Sequence, residues 1–427
     1  MSRERITALQ CGRLRTLLGL LGTDNAFYGP RLKEAGLDRD LASLDVFTRR
    51  MPFTTKMDLV WDREEHPPYG SNLTFPIGRY SRYCQSSGTA SAPLPTLDTP
   101  ESWSAMLDCW DRVYDAAGVG SDDVLFFAFS FGPFLGFWTA FECALRRGSR
   151  SIPGGGLSSE ARLQAMQLNA ATVLCCTPTY ALRLGEILSR QNPVDFADLA
   201  LKKIIVAGEP GGSVPETRAR LESLWPGTRV YDHHGMTEVG PISYEHPDHP
   251  MTLCIIEESY LAEVIDHESQ QEVAEGETGE LVITTLTRTA TPLLRYRTGD
   301  VVRKVWRDAP PGATFGPVLC LDGGVIGRVD EMVVIRGVNI YPTAVEKVLR
   351  RFSEVAEYQV IQSTRDSMAE LEVVVEPQSG GTIPASELSS RIARALHSAF
   401  ALRIPVRSVE PGTLPKAEFK SRRWIKQ

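Results

Sequence analysis

The sequence has little of what would take a chain out of the cell or into a membrane. No stretch reaches the roughly 18 uncharged apolar residues that a membrane-spanning helix needs. The opening Met1-Ser2-Arg3-Glu4-Arg5 is charged and leads into neither an apolar run nor a small-residue cleavage site, so no secretory leader is read there and the cytoplasm is the expected location. Positive charge is not in excess. The 46 Lys and Arg against 53 Asp and Glu give a formal net charge of -7, which argues against nucleic acid or an anionic membrane as the main partner. The eight cysteines, at 11, 84, 109, 143, 175, 176, 254 and 320 of 427 residues, are scattered, and no disulfide framework is expected. Internal repeats, low-complexity tracts and a Walker-type lysine motif are also missing.

What is present is an ordinary globular composition, 42% hydrophobic and 23% charged, in a chain long enough for two or three domains. Helical periodicity (Leu14, Leu17, Leu18, Leu21) marks the first 50 residues, and Pro52-Phe53-Thr54-Thr55-Lys56 reads as a cap before a helix. Between about 83 and 235, short apolar runs (Val124 to Phe129, Ala171 to Cys176, Lys203 to Val206) alternate with helical segments at 101–117, 137–147, 158–169, 179–191 and 214–224. That alternation predicts an α/β fold with a mainly parallel sheet. From 252 to 326 closely spaced strands and polar turns predict a distorted barrel or a meander. The stretch Gly327 to Pro342 combines a basic turn, a strand at Met332 to Ile335 and a glycine loop, then a helix for which Thr343 is a candidate N-cap with Glu346 three residues on. It reads as a hinge near 328–330 between a large domain (1–327) and a small α+β lid (331–427), which ends in a basic tail, Lys416 to Lys426.

Several stretches have the residue types for chemistry, each with a blander reading beside it. Ser86-Ser87-Gly88-Thr89 follows a strand, where small hydroxyl residues and a glycine let backbone N–H groups approach phosphates; a polar surface turn is the alternative. In Tyr231-Asp232-His233-His234-Gly235-Met236-Thr237-Glu238, Thr237 can meet a phosphate oxygen and Glu238 can hold Mg²⁺, or the segment is a solvated loop. Asp300, beside Gly299, can accept from two vicinal ribose hydroxyls or can pair with a surface arginine. Lys420 can stabilise charge at a phosphate or can be a solvated tail residue. His246, Cys254 and Cys320 are metal-capable types at a spacing that fits no standard finger.

The order of these stretches resembles the phenylacetate–CoA ligase branch of the adenylate-forming (acyl-CoA synthetase, luciferase-like) superfamily, from about Arg13 to Arg423. The likeness is strongest in Pro52 to Lys56, in Leu174-Cys175-Cys176-Thr177-Pro178-Thr179-Tyr180-Ala181 and in 327–342. It implies a large N-terminal domain with a small distorted β-barrel, and a mobile C-terminal lid. The implied reaction is activation of a small aromatic carboxylic acid by ATP to an acyl-adenylate, then transfer to a thiol, CoA or the phosphopantetheine of a carrier protein. Carried over by position, Ser86, Ser87, Gly88 and Thr89 would hold the ATP phosphates. Gly208, Glu209 and Pro210 would line the adenine, with Asp232, His233 and His234 also on the nucleotide side and His234 where the family has an aromatic ring. Thr237 would touch the α-phosphate, Glu238 would bind Mg²⁺, Asp300 with Arg328 would hold the ribose, Asp330 would be the hinge and Lys420 the adenylation lysine. Phe131, Gly132, Phe134, Tyr180, Gly235 and Met236 would line the acid pocket. Some members of the branch carry zinc; His246 and Cys254 stand here in exchanged order, and with Cys320 and His249 they would be the ligands that the resemblance implies.

Two departures from that pattern stand out. The phosphate loop continues Ala90-Ser91-Ala92-Pro93 where the family has Thr-Gly-Lys-Pro, and Phe419 precedes Lys420 where the family has glycine. They support a second hypothesis: a protein that binds acyl-CoA or acyl-adenylate and passes the acyl group to a carrier protein or an amine without efficient ATP-dependent activation. No nucleic acid or membrane partner is expected, and a homodimer is left open.

Overall fold

The computed structural model describes residues 3–37, 41–86, 93–190, 199–310, 316–335, 338–365, 368–378, 380, 383–415 and 423–426. Its centre is a five-stranded parallel sheet in the order Arg150–Pro153, Val124–Phe127, Val173–Cys176, Lys203–Ala207, Arg229–His233. All four residues of Val124–Phe127 and of Val173–Cys176 are buried, as strands with helices on both faces must be. The helices Pro100–Ala116, Trp138–Arg146, Ser159–Leu168, Pro178–Arg190 and Pro215–Leu224 fall within a residue or two of the predicted segments. Their starts are written locally. Thr99 and Ser158 accept from backbone N–H groups of the first turn, and Thr55 with Asp58 forms a full capping box for Lys56–Glu65.

The sheet divides two apolar cores. One, on the side of Pro100–Ala116, takes in Trp110, Phe127 and Phe137; the other, on the side of Pro178–Arg190, takes in Phe126, Tyr180 and Trp225. The 252–326 stretch supplies most of a six-stranded antiparallel sheet ordered Ser243–His246, His249–Ile255, Val318–Arg328, Tyr296–Arg307, Thr278–Thr285, Tyr260–Ile265. Of the two predicted forms, the meander is the one realised. The sheet is open, and register shifts at Glu280/Val282 and Val301/Lys304 bend it. Buried ion pairs tie it down: Arg295 to Glu263 at 2.7 Å, and Arg288 to Asp98 at 2.5 Å with both side chains 1% exposed.

The C-terminal part has a core of its own, from Val333 to Leu402 and Ile404. A four-stranded sheet, ordered Val406–Ser408, Met368–Pro377, Val355–Arg365, Trp424–Lys426, packs under the helices Pro342–Leu349 and Ala385–Phe400. Two details differ from the sequence reading. The helix after Pro342 has Tyr341 as N-cap without a side-chain bond, because Thr343 instead donates its hydroxyl to the Ile326 carbonyl of the larger part. The basic end is not all tail: Trp424–Lys426 pairs in parallel with Val360–Gln362, and Arg423 is buried against Glu357. At the junction a Cβ on Gly327 would stand 2.7 Å from the Tyr341 ring, so only glycine lets the two parts close there. Among the described residues no helix is long and apolar enough to cross a membrane.

Candidate active site

The strand Arg229–His233 runs out of the parallel sheet into a tight two-stranded turn, Gly235–Met236 against Gly240–Pro241, which carries Thr237 and Glu238. The turn is held from behind by Arg288. Its Nη1 donates to the carbonyls of Thr237 and Glu238, 2.9 Å each, while Nε and Nη2 form a forked pair with Asp98 at 2.8 and 2.5 Å. Burial alone would lower the Arg288 pKa, but the Asp98 carboxylate more than offsets it and holds it above the ordinary value. Arg288 was not singled out from the sequence; an arginine inside the otherwise apolar and hydroxyl run Leu281 to Leu294 was the available signal.

The Glu238 carboxylate lies 3.5 Å from Lys56 Nζ, at the start of the capped helix Lys56–Glu65. It is an oxygen donor of the kind Mg²⁺ accepts, so the residue fits the expected role. Asp300 sits across the turn. Its Oδ2 accepts from His234 Nε2 at 2.9 Å and its Oδ1 from Arg328 Nη1 at 2.8 Å. Burial pushes this carboxyl up, but the His234 and Arg328 contacts together pull it below the usual carboxylate range, so Asp300 is ionised at neutral pH. Arg328 also donates to Asp330 at 2.9 and 3.2 Å, linking the Asp300 cluster to the junction between the two parts. Gly299 is required beside it: φ is +77° and a Cβ would lie 2.9 Å from Arg328 Nη2.

The other expected residues fall into three groups. Ser86 closes a loop, exchanging bonds with Leu94 through its backbone N–H and its Oγ, both 3.0 Å. Ser87, Gly88, Thr89 and Lys420 lie outside the described residues. Gly208 has φ +91°, Glu209 accepts from the Thr179 N–H at 2.8 Å near the start of the helix Pro178–Arg190, and Pro210 is exposed. Asp232 turns inward, where Ser213 Oγ donates to it at 2.5 Å. His233 lies tilted against Trp110, ring centres 4.4 Å apart. Phe131 joins an aromatic cluster with Phe129 (4.3 Å), Trp138 (4.8 Å) and Phe141 (5.3 Å), and the Gly132 carbonyl accepts from Trp138 Nε1. Phe134 and Met236 pack against this core. Tyr180 does not: it belongs to the core on the opposite face of the sheet, with its hydroxyl 3.0 Å from Ser159 Oγ and Arg162 over its ring.

The zinc expectation is not met. His246 Nδ1 accepts from the Asp248 N–H, so Nε2 carries the proton it gives to the Asp308 carbonyl and no lone pair is left for a metal. Cys254 and Cys320 face each other across paired strands, fully buried in the apolar core, where burial keeps the Cys320 thiol protonated. His249 only packs its ring on His246, and among the described residues no three His, Cys, Asp or Glu side chains converge on a metal position.

The chain as a whole has counterparts among known proteins. Residues 85–287 match the AMP-binding enzyme family and residues 337–427 the AMP-binding enzyme C-terminal domain. The phenylacetate–coenzyme A ligase of Thermus thermophilus is 31% identical over 98% of this chain and 95% of its own length. The chain belongs to the adenylate-forming enzymes, in the branch of the AMP-forming acid–CoA ligases. A 2-hydroxyisobutyryl-CoA ligase solved in its postadenylation state superposes with a TM-score of 0.91 at 26% identity, covering 100% of this chain and 90% of that one. The same ligase in its thioesterification state gives 0.72 at 27% identity, covering 100% of this chain and 90% of that one.

Proposed function

We propose that this chain activates an aryl carboxylic acid with ATP and passes the acyl group to CoA. The observation that carries the reading is the Asp300–His234–Arg328 cluster, whose His234 leads straight into the turn of Thr237 and Glu238. An ionised Asp300 accepts from vicinal ribose hydroxyls, keeping two acceptor sites beyond those used by His234 and Arg328. Thr237, its carbonyl held by Arg288, would offer its hydroxyl to an α-phosphate oxygen. Glu238 would hold Mg²⁺, which supplies charge neutralisation on the phosphates. The rings of Phe131 and Phe134 suit an aromatic body.

The acid carboxylate attacks the α-phosphorus, an oxygen–phosphorus bond forms, and pyrophosphate leaves. Lys420 is proposed to carry the cation to that centre. A turn of the C-terminal part about Asp330 then replaces this arrangement by one open to the thiol, whose sulfur displaces AMP. The kinship with the phenylacetate–coenzyme A ligases favours an aromatic acid. Acid-dependent pyrophosphate release with ATP over a panel of aryl acids, with and without CoA, tests the reading. The phosphate loop Ala90-Ser91-Ala92 keeps a second reading open, transfer from supplied acyl-adenylate without activation. No pyrophosphate with any acid, together with CoA-dependent consumption of supplied aryl-adenylate, decides for that one.

A further inference from the structure

We infer that His233 reads a hydroxyl on the acid, and that the preferred substrates are aryl carboxylic acids bearing a ring hydroxyl remote from the carboxylate. This rests on the proposed placing of the acid beside the Gly235–Met236 turn and the aromatic cluster.

The two nitrogens of His233 have different duties. Nδ1 lies 2.6 Å from the Ser243 carbonyl oxygen. A carbonyl only accepts, so Nδ1 carries a proton. The ring is 6% exposed, and burial lowers its pKa to about 4, so at neutral pH it holds that one proton and no other. Nε2 is then a bare lone pair. It has no hydrogen-bond partner among the described residues, and it is not among the unpaired polar atoms that are sealed from solvent. Gly235 keeps it uncovered on one side, since a Cβ there would lie 3.3 Å from Nε2.

The surroundings say which ligand group can use that lone pair. The ring packs on Trp110, and through Phe137 (6.0 Å from Trp110) and Phe129 (5.3 Å from Phe137) the aromatic run continues to Phe131. An acceptor left unpaired in such apolar company is costly. The carboxylate of the acid cannot satisfy it, because an ionised carboxylate only accepts and its charge would be repelled. A hydroxyl can donate to it. The acid is therefore oriented with its carboxylate toward Thr237 and Glu238 and its O–H toward His233. The sequence reading put His233 with the nucleotide; its contacts with Trp110 and Ser243 turn it to the acid instead.

The test compares matched pairs, benzoate and phenylacetate against their ring-hydroxylated derivatives, by pyrophosphate release in the whole protein. The hydroxylated partner at the matching ring position is expected to have a kcat/KM about 10- to 100-fold higher. His233→Phe fills the site without an acceptor and should bring that ratio to about one. His233→Gln keeps a donor for Ser243 and an acceptor for the substrate and should restore part of it. Should neither variant fold, the wild-type ratio decides alone. A ratio of one or less at every ring position, with release from the unsubstituted acids, overturns the hydroxyl assignment and leaves acid activation standing. No release with any acid overturns both.

Discussion

His233 and His234 are neighbours in the chain and opposites in chemistry. His234 turns to a carboxylate, donating from Nε2 to Asp300 at 2.9 Å within a network that continues through Arg328 to Asp330. His233 turns to rings, with Trp110 against it; each imidazole keeps one unpaired nitrogen, Nδ1 of His234 sealed from solvent and Nε2 of His233 not. One wall of the candidate site is thus made of charges whose mutual contacts fix their positions before any ligand arrives. The other is lined by rings, with the unpaired Nε2 of His233 among them. The first wall suits a ligand whose polar groups never change, the ribose and phosphates of a nucleotide. The second suits a ligand class in which one substituent decides, because a lone polar group in apolar surroundings discriminates strongly between a ligand that pairs it and one that does not.

The contrast breaks most completely at Arg288. Replacing it with alanine leaves the Asp98 carboxylate buried without its partner and releases the carbonyls of Thr237 and Glu238. A loss of about 3–5 kcal/mol in urea unfolding is expected. A loss below about 1 kcal/mol would mean that the turn is held by something else. Next in size is His234→Phe, which removes a hydrogen bond to an ionised group, worth about 1.5–3 kcal/mol. ATP affinity should fall about tenfold or more, while the ratio between hydroxylated and plain acids should hold. Its pH signature is also defined. The folded pKa of Asp300 lies below its unfolded value, so its contribution to stability is full above about pH 4 and is lost as pH falls through the folded value. Without His234 that loss should begin at higher pH, visible in melting temperatures across the acid range. Smaller again is Gly299→Ala, expected to cost about 1–3 kcal/mol through its +77° φ and to displace Arg328. A neutral result would show that Arg328 has room to move.

Most of the frame was legible in the sequence because its signals are local. The helix starts at Thr55, Thr99 and Ser158 are capping residues that act within their own turn, and the apolar runs Val124–Phe127 and Val173–Cys176 are too short and too uniformly apolar for anything but buried strands. The setting of Asp300 and Glu238 at turns was legible for the same reason, through their immediate neighbours Gly299 and Thr237. What escaped is what depends on distant partners. Arg288 meets Asp98 across 190 positions, and nothing near either residue announces the pair. The zinc reading failed because residue types do not show which nitrogen is already used, and both nitrogens of His246 are. Tyr180 was misplaced because the two faces of a parallel sheet look alike in sequence: Cys175 faces one core and Cys176 the other, and Tyr180 follows the second.

The smallest predicted effect concerns the boundary between the two parts. Glu209 is pushed up mainly by burial, helped by the charge of Glu346, while the bond from Thr179 and the charge of Arg423 act the other way without prevailing. Its folded pKa therefore lies above its unfolded one. The stabilisation this gives is full below the unfolded value, about pH 4.3, and is lost as pH rises through the folded value, where the charged side chain costs more in the folded protein than in the unfolded chain. Glu209→Gln keeps an oxygen for the Thr179 N–H and removes the charge. Stability at pH 7 should rise by up to about 1 kcal/mol, with no gain near pH 4. Since Arg423 and Glu346 both come from the C-terminal part, the sign of the result also reports on that contact. A loss at pH 7 would mean that attraction to Arg423 across the boundary outweighs burial, and that Glu209 belongs with the paired charges of the nucleotide wall.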